Sequence, residues 1–351
     1  MISGSRRIYC FSRTAAARHR LNDTRMTEGR PDVTLAEQWD WNVAVFCRNE
    51  RRSIARCIES IADASRGRRT LITLIVNGST DDSATLALGA ARRRGIAIAV
   101  YTIAHADKAN AINQFFYALR GSASYYFFID AYVKIGPNAL AAMEACLATR
   151  QDVIAATGVA VNGRTMYRNT QPTLIEGGRL HGQLHALRPD FIARLTARKV
   201  RLPIGLYYGD GLIGSMTMHD LDPLHVAWEP KRIGGSPEAT YEIPTLSPFR
   251  LHDLRRQFQR KVRQMRGRLE NLAIRSIVYG RGYEGLPEFA DQMVRSYLAE
   301  HGRPITSLFD RPFQLLALRQ LRTTRHPDPG LLEPVLMQTS DSLPPGFDVS
   351  E

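Results

Sequence analysis

The sequence has no apolar run near the roughly eighteen residues that a membrane-spanning helix needs. Apolar runs such as Tyr125 to Ile129 are of strand length. Cysteine is scarce: Cys10, Cys47, Cys57 and Cys146 are the only four, no two have CxxC spacing, and nothing resembles a disulfide framework. Buried, reduced thiols are the expectation, which fits a reducing compartment. Met1 to Arg30 has no apolar segment of the kind a secretory leader carries. There is no GxxxxGK[ST], no GxGxxG following a strand and no GxSxG, which argues against a P-loop kinase, a dinucleotide oxidoreductase and an α/β-hydrolase. His181 and His185 are four apart, but the rest of a zinc-binding pattern is missing, so a non-metal role is expected for both.

What the chain does have is length, apolar content and positive charge. Its 351 residues are 44% hydrophobic, enough for a sizeable core. Lys and Arg number 47 against 34 Asp and Glu, a net charge of +13. Such a balance suits phosphate-bearing partners, whether nucleotides, nucleic acid or anionic lipid, and the dominance of Arg suits bidentate phosphate contacts. Residues 1–40 read as a disordered basic arm, in which Met26 offers a second start, and 327–351 as a disordered Pro- and Ser-rich tail.

Between these ends the pattern alternates. Trp41 to Cys47, Leu71 to Val76, Ile96 to Ile103, Tyr125 to Ile129 and Val153 to Val161 read as strands. Helices are expected over Arg51 to Arg66, Asp81 to Arg94, Lys108 to Leu119 and Pro137 to Thr149. Nearly all-apolar strands separated by helices imply an α/β fold with a mostly parallel sheet covered on both faces. The second half is less regular. Val226 to Trp228 reads as a short strand, and Glu288 to Glu300 as helical. From Leu251 a clear helix runs through Leu254, Phe258, Val262, Met265, Leu269 and Leu272, with Arg255, Arg256, Arg260, Arg263 and Arg266 on or near its other side.

In such sheets ligands bind outside the carboxyl ends of the strands. The residues there are Arg48-Asn49-Glu50, then Asn77 to Asp82, then Asp107-Lys108, then Asp130-Ala131-Tyr132. Singly each is an ordinary turn; four in succession bearing carboxylates, amides and a Lys make a candidate site.

From Trp41 to Arg268 the chain resembles the family 2 glycosyltransferases. The resemblance is carried by CRNE at 47–50, NGSTDDS at 77–83, DKANAIN at 107–113, FFIDAY at 127–132, GQLHALR at 182–188, GDG around Asp210 and QFQRK at 257–261. It implies a GT-A-like, Rossmann-like fold over 41–250, with a nucleotide-sugar half at 41–162 and an acceptor half at 163–250, followed by a helical extension at 251–326. It implies that Arg48, Glu50, Asn77 and Asp81 lie around the nucleotide of the donor, with Asn77 where many relatives have an acid. Lys108 falls near the donor phosphates. Asp130 matches the first Asp of the DxD motif, whose divalent metal, Mg²⁺ or Mn²⁺, meets the diphosphate; Tyr132 replaces the second Asp, and the expectation is that Asp130 retains the metal, the alternative being that Lys108 and Arg260 neutralise much of the leaving diphosphate's charge. Asp210, with Gly209 where Glu is common, would be the general base of an inverting transfer. Gln257 and Arg260 match a QxxRW motif that closes over acceptor and diphosphate, with Lys261 in place of Trp.

The implied activity is transfer of a sugar, by family precedent from a UDP-sugar, to an acceptor that is a saccharide or a lipid-linked molecule. No nucleic-acid partner is expected. The location implied is cytoplasmic, and the Arg-rich helix offers a peripheral contact with anionic membrane. Two other readings stand beside it. One is a nucleotidyltransferase on a similar fold, against which the absent glycine-rich first loop speaks. The other is a degenerate relative serving as a basic binding module for anionic membrane or RNA, favoured by the charge, Tyr132 and Lys261.

Overall fold

The structure is a computed structural model that describes residues 38–163, 167–168, 170–172, 176–244, 251–304 and 306–339, with backbone alone over 251–257. The expected basic arm therefore lies outside the described residues, save for 38–40, which already belong to the first strand.

The alternation folds as its pattern requires. Strand β1 (Gln38–Cys47), helix α1 (Ile54–Ala64), β2 (Thr70–Asn77), α2 (Ser83–Arg94), β3 (Ala97–Ile103), α3 (Lys108–Gln114) and β4 (Ser122–Asp130) follow in order. A π-helical turn, Phe115–Leu119, extends α3. Strands β3, β2, β1 and β4 lie side by side, all parallel. Successive side chains on a strand point to opposite faces, and both faces are buried. Val43, Val45 and Cys47 pack with Ile54, Ile58 and Ile61 of α1 on one side. Ala44 and Phe46 pack with Ile112, Phe115 and Phe116 on the other. Helix α2 starts at Ser83, with Asp82 at its N-cap, so Asp81 and Asp82 precede the helix expected to begin at Asp81; it ends in three Arg and Gly95 at φ 62°.

Beyond β4 the sheet becomes mixed. The short edge strand β5 (Lys134–Ile135), α4 (Ala139–Thr149), β6 (Ala155–Ala160), β7 (Leu184–Leu187), α5 (Pro189–Ala197), α6 (Gly209–Met218) and β8 (Ile233–Glu242) give the nine-stranded order β5-β8-β6-β7-β4-β1-β2-β3-β9. Strand β7 runs antiparallel to both β4 and β6. Val226 to Trp228 is not a strand; the strand lies just after it, in β8.

The C-terminal segment is a helical extension: α7 (Leu251–Arg281), α8 (Ala290–His301) and α9 (Arg311–Thr323). The apolar stripe of α7 buries Val262, Met265 and Leu269, but Phe258 is exposed. Arg266, expected on the polar side, is buried instead. The tail expected to be irregular from 327 supplies β9 (Pro334–Thr339), antiparallel to β3, which caps an otherwise bare sheet edge. No helix among the described residues is long and apolar enough to cross a membrane.

Candidate active site

The first two strand-end loops clasp each other. Asn49, at φ 55°, donates its backbone N–H to Ser79 Oγ at 3.0 Å and accepts from the Thr80 amide at 2.8 Å. The Glu50 amide donates to Ser83 Oγ at 2.9 Å, and the Arg51 amide to Asp81 at 3.2 Å. Gly78 is required here: it has φ 61°, and a Cβ would meet that of Ala106 at 2.4 Å. Desolvation pushes Asp81 up, but hydrogen bonds from Ser83 and the Arg51 amide outweigh it, and its carboxyl sits below the usual range. Asp81 thus fastens the clasp. Arg48, Glu50 and Asn77 line a cavity of about 450 Å³ that adjoins it, and Asp81 is not among the lining residues.

The next segment divides its labour. Asp107 N-caps α3, accepting from the Asn110 amide at 2.6 Å, and also accepts from the Gly205 amide at 2.7 Å. Asn110 donates to the Leu332 carbonyl at 2.8 Å. Asn113 pairs with both backbone groups of Leu202, at 2.8 and 2.9 Å. These three side chains are fasteners. Lys108 turns its charged end to the cleft, where its ammonium pairs with Asp130 at the end of β4 and lies 3.5 Å from the Gly182 carbonyl.

The second oxygen of Asp130 accepts from the Tyr132 hydroxyl at 2.9 Å. Burial and the neighbouring Asp130 carboxylate push the Tyr132 phenol well above its ordinary range, so it keeps its proton and donates. Both Asp130 oxygens therefore hold donors from the protein. A divalent ion at this carboxylate would displace Lys108 and Tyr132 and sit against an ammonium, with a phenol where a second carboxylate would be. This donor set does not fit the Mg²⁺ or Mn²⁺ expected at Asp130.

Lys108, Asp130, Tyr132 and Arg263 also line a second cavity of about 720 Å³, which continues the first. Asp210 faces it from the first turn of α6. The run GDGLIG at 209–214 has GxGxxG spacing, but it is itself helical, and its glycines serve packing: a Cβ on Gly211 would strike the Tyr208 ring at 2.1 Å. Across the cavity, a Cβ on Gly182 would reach Asp210 at 3.2 Å. Burial pushes the Asp210 carboxyl above the usual range, only partly countered by Lys108 and the Gly211 amide, and Asp130 adds to the rise.

His185 lines the same cavity, stacked on Phe128 with ring centroids 4.9 Å apart. Burial, reinforced by Lys108, lowers its pKa to about 3, so the ring is neutral. Its Nδ1 lies 3.1 Å from the His181 carbonyl, and its Nε2 is buried without a hydrogen-bond partner.

Helix α7 closes the far wall with Arg260, Arg263, Gln264 and Arg268. Lys261, in the position of the motif's Trp, is exposed, and the side chain of Gln257 lies outside the described residues. One residue the sequence did not single out matters here. Glu270 is fully buried, pairs with Arg266 at 2.9 Å, and accepts from the Tyr207 and Tyr208 amides at 2.9 and 3.0 Å. It ties α7 to the loop that leads into Asp210. A Glu four residues after an Arg is so common on helices that the spacing alone carried no signal.

The profile of glycosyl transferase family 2 matches residues 42–204, a little under half of the chain. This segment is a family 2 glycosyltransferase domain. No curated protein matches the chain. Among solved structures, a mannosyltransferase from Pyrobaculum calidifontis in complex with GDP-Man and Mn²⁺ is 16% identical, over 85% of this chain and 80% of that one, with a TM-score of 0.53. A glucosyl-3-phosphoglycerate synthase from M. tuberculosis is 17% identical, over 71% of this chain and 82% of that one, with a TM-score of 0.45. The fold of the glycosyltransferase domain is GT-A. The matched segment holds the clasp, Lys108, Asp130 and Gly182; Asp210 and the α7 wall lie beyond it.

Proposed function

We propose that the protein is an inverting glycosyltransferase that takes a sugar from a nucleotide-sugar donor, a UDP-sugar by family precedent, and places it on a hydroxyl of a saccharide or lipid-linked acceptor. The observation that carries this reading is the junction of the two cavities. Arg48, Glu50 and Asn77 line the first, Asp210 faces the second, and the Lys108–Asp130 pair lies where they meet.

In this reading the nucleotide occupies the first cavity and its diphosphate lies toward Lys108, Arg260 and Arg263. The acceptor enters the second. Asp210 takes the proton of the acceptor hydroxyl, the acceptor oxygen bonds to the anomeric carbon, and the bond from that carbon to the diphosphate breaks with its electron pair going to the phosphate oxygen. One displacement inverts the anomeric configuration. The raised pKa of Asp210 suits a base working near neutrality. The basic groups meet charge that grows as the diphosphate leaves.

The test is a panel of nucleotide sugars incubated with the full chain, with and without Mn²⁺ or Mg²⁺, following release of nucleoside diphosphate. Slow hydrolysis of one donor, lost in Asp210→Asn and Asp130→Ala, supports the reading. No turnover of any donor, together with no shift in melting temperature on adding them, would sink it.

A further inference from the structure

We propose that this site binds its donor diphosphate without a divalent ion, the Lys108 ammonium standing in the ion's place. The proposal rests on the glycosyltransferase reading and deepens it, since it concerns how the same cleft meets the charge of the leaving group.

Three observations converge. The first is the donor set at Asp130. One carboxylate oxygen takes Lys108 and the other takes Tyr132, whose hydroxyl is in turn 3.4 Å from the Gln183 amide nitrogen. Asp130 is thus a holder for a protein cation, with both of its oxygens taken by donors of the protein. The second is how firmly the cation is placed. Lys108 is the first residue of α3, whose start and face are fixed by Asp107, Asn110 and Asn113 through Gly205, Leu332 and Leu202. Its chain also runs over the Phe46 ring, with Nζ 5.7 Å from the centroid. An ammonium already drawn to Asp130 from a fixed helix start loses less freedom when it takes up a phosphate than a free surface lysine does. The third is the surrounding charge. Arg263 lines both cavities and Arg260 the larger one, and neither has a protein partner among the described residues.

A divalent ion would give such a site two things: positive charge against the leaving diphosphate and a fixed point that orients it. Lys108 offers both. Its three N–H donors can exchange Asp130 for phosphate oxygens. Tyr132 then has a definite part. It keeps Asp130 hydrogen-bonded when the ammonium swings toward phosphate, so the carboxylate is not left bare.

The experiment is calorimetric titration of the full chain with UDP and with GDP, once in excess EDTA and once in Mn²⁺. One nucleoside diphosphate is expected to bind with the same affinity in both, within about twofold. Lys108→Gln, its melting temperature read alongside, is expected to weaken that binding by about tenfold or more in both conditions. Tyr132→Asp restores a second carboxylate and is expected to make binding respond to Mn²⁺. Wild-type binding that falls about tenfold in EDTA and returns with Mn²⁺ overturns the proposal while leaving the glycosyltransferase reading intact. Lys108→Gln binding as tightly as wild type also overturns it. If neither diphosphate binds in either condition, the glycosyltransferase reading fails and this proposal falls with it.

Discussion

Arg266 and Glu270, one turn apart on α7, form an ion pair of 2.9 Å with almost no exposed surface. Arg266 also donates to the Gly205 carbonyl at 2.6 Å and lies 4.4 Å over the Tyr207 ring, while Glu270 takes two backbone amides from the same loop. The pair is thus a staple between the helical extension and the approach to Asp210. Removing one partner leaves the other charged and buried, which costs about 3–5 kcal/mol. Glu270→Ala is expected to lower the melting temperature strongly. The joint change Arg266→Met with Glu270→Leu is expected to recover much of that stability without restoring activity, because the Tyr207 and Tyr208 amides still lose their acceptor. Thermal unfolding and donor hydrolysis, measured on both variants, check this.

The sequence made the first half of the fold legible and the second half only in part. Runs such as LITLIV in β2 have one reading, because an all-apolar segment of that length between helices is a buried parallel strand. Strand β8, IGGSPEATYE, contains two glycines and a proline, and its place is set by pairing with β6 and β5 rather than by its own pattern. Strand β9 was hidden for a similar reason: a proline-rich tail looks irregular until β3 offers it an edge. At the site, residue identity pointed to Lys108, Asp130 and Asp210, and these do share a cavity. Identity did not reveal division of labour. Asp81 sits in the NGSTDDS motif yet fastens loops, and the Tyr132 hydroxyl reaches back to the carboxylate beside it, which spacing alone does not say.

Asp210→Asn keeps the size of the side chain and removes its basicity. If Asp210 takes the acceptor proton, kcat is expected to fall by about 10²- to 10⁴-fold. Affinity for the nucleoside diphosphate should change little, because Asp210 lines the second cavity and not the first. Steady-state kinetics and a nucleotide titration on the same preparation separate the two effects.

The acidity of Asp210 sets a pH dependence. Burial raises its pKa in the folded protein, and the base works only when ionised. The rate is therefore expected to be low in acid and to rise as pH climbs through that raised pKa, with the rising limb displaced above the ordinary carboxylate range of about 3.9. The Asn variant is expected to lack this limb. A pH profile of kcat/KM for both proteins decides it; a limb that persists in Asp210→Asn would assign the titration to another group.

Gly182 faces Asp210 so closely that a Cβ would lie 3.2 Å from both the Cβ and a carboxylate oxygen. Gly182→Ala must push the Asp210 side chain by a few tenths of an ångström. The expectation is a fall in kcat of about 10-fold or more, since reacting groups tolerate little displacement. Stability should fall by less than about 1–3 kcal/mol, because the strain can relax into the cavity. Melting temperature and kcat, taken together, distinguish this from general unfolding.

The segment 107–113 allows a double test, because its residues face different ways. Asn113 pairs with both the N–H and the carbonyl of Leu202 in the buried core. Asn113→Ala leaves both backbone groups without partners, at about 1–3 kcal/mol each, and a clear drop in melting temperature is expected. Lys108 is only partly buried, with 41% of its side chain exposed, and its contacts face the cleft. Lys108→Gln is therefore expected to shift the melting temperature far less while weakening nucleotide binding. The opposite outcome, in which Lys108→Gln unfolds the protein and Asn113→Ala only weakens binding, would reverse the roles assigned to the two side chains. The two changes are five residues apart on one short helix, so any effect of disturbing that helix in general would appear in both, and only a difference between them counts.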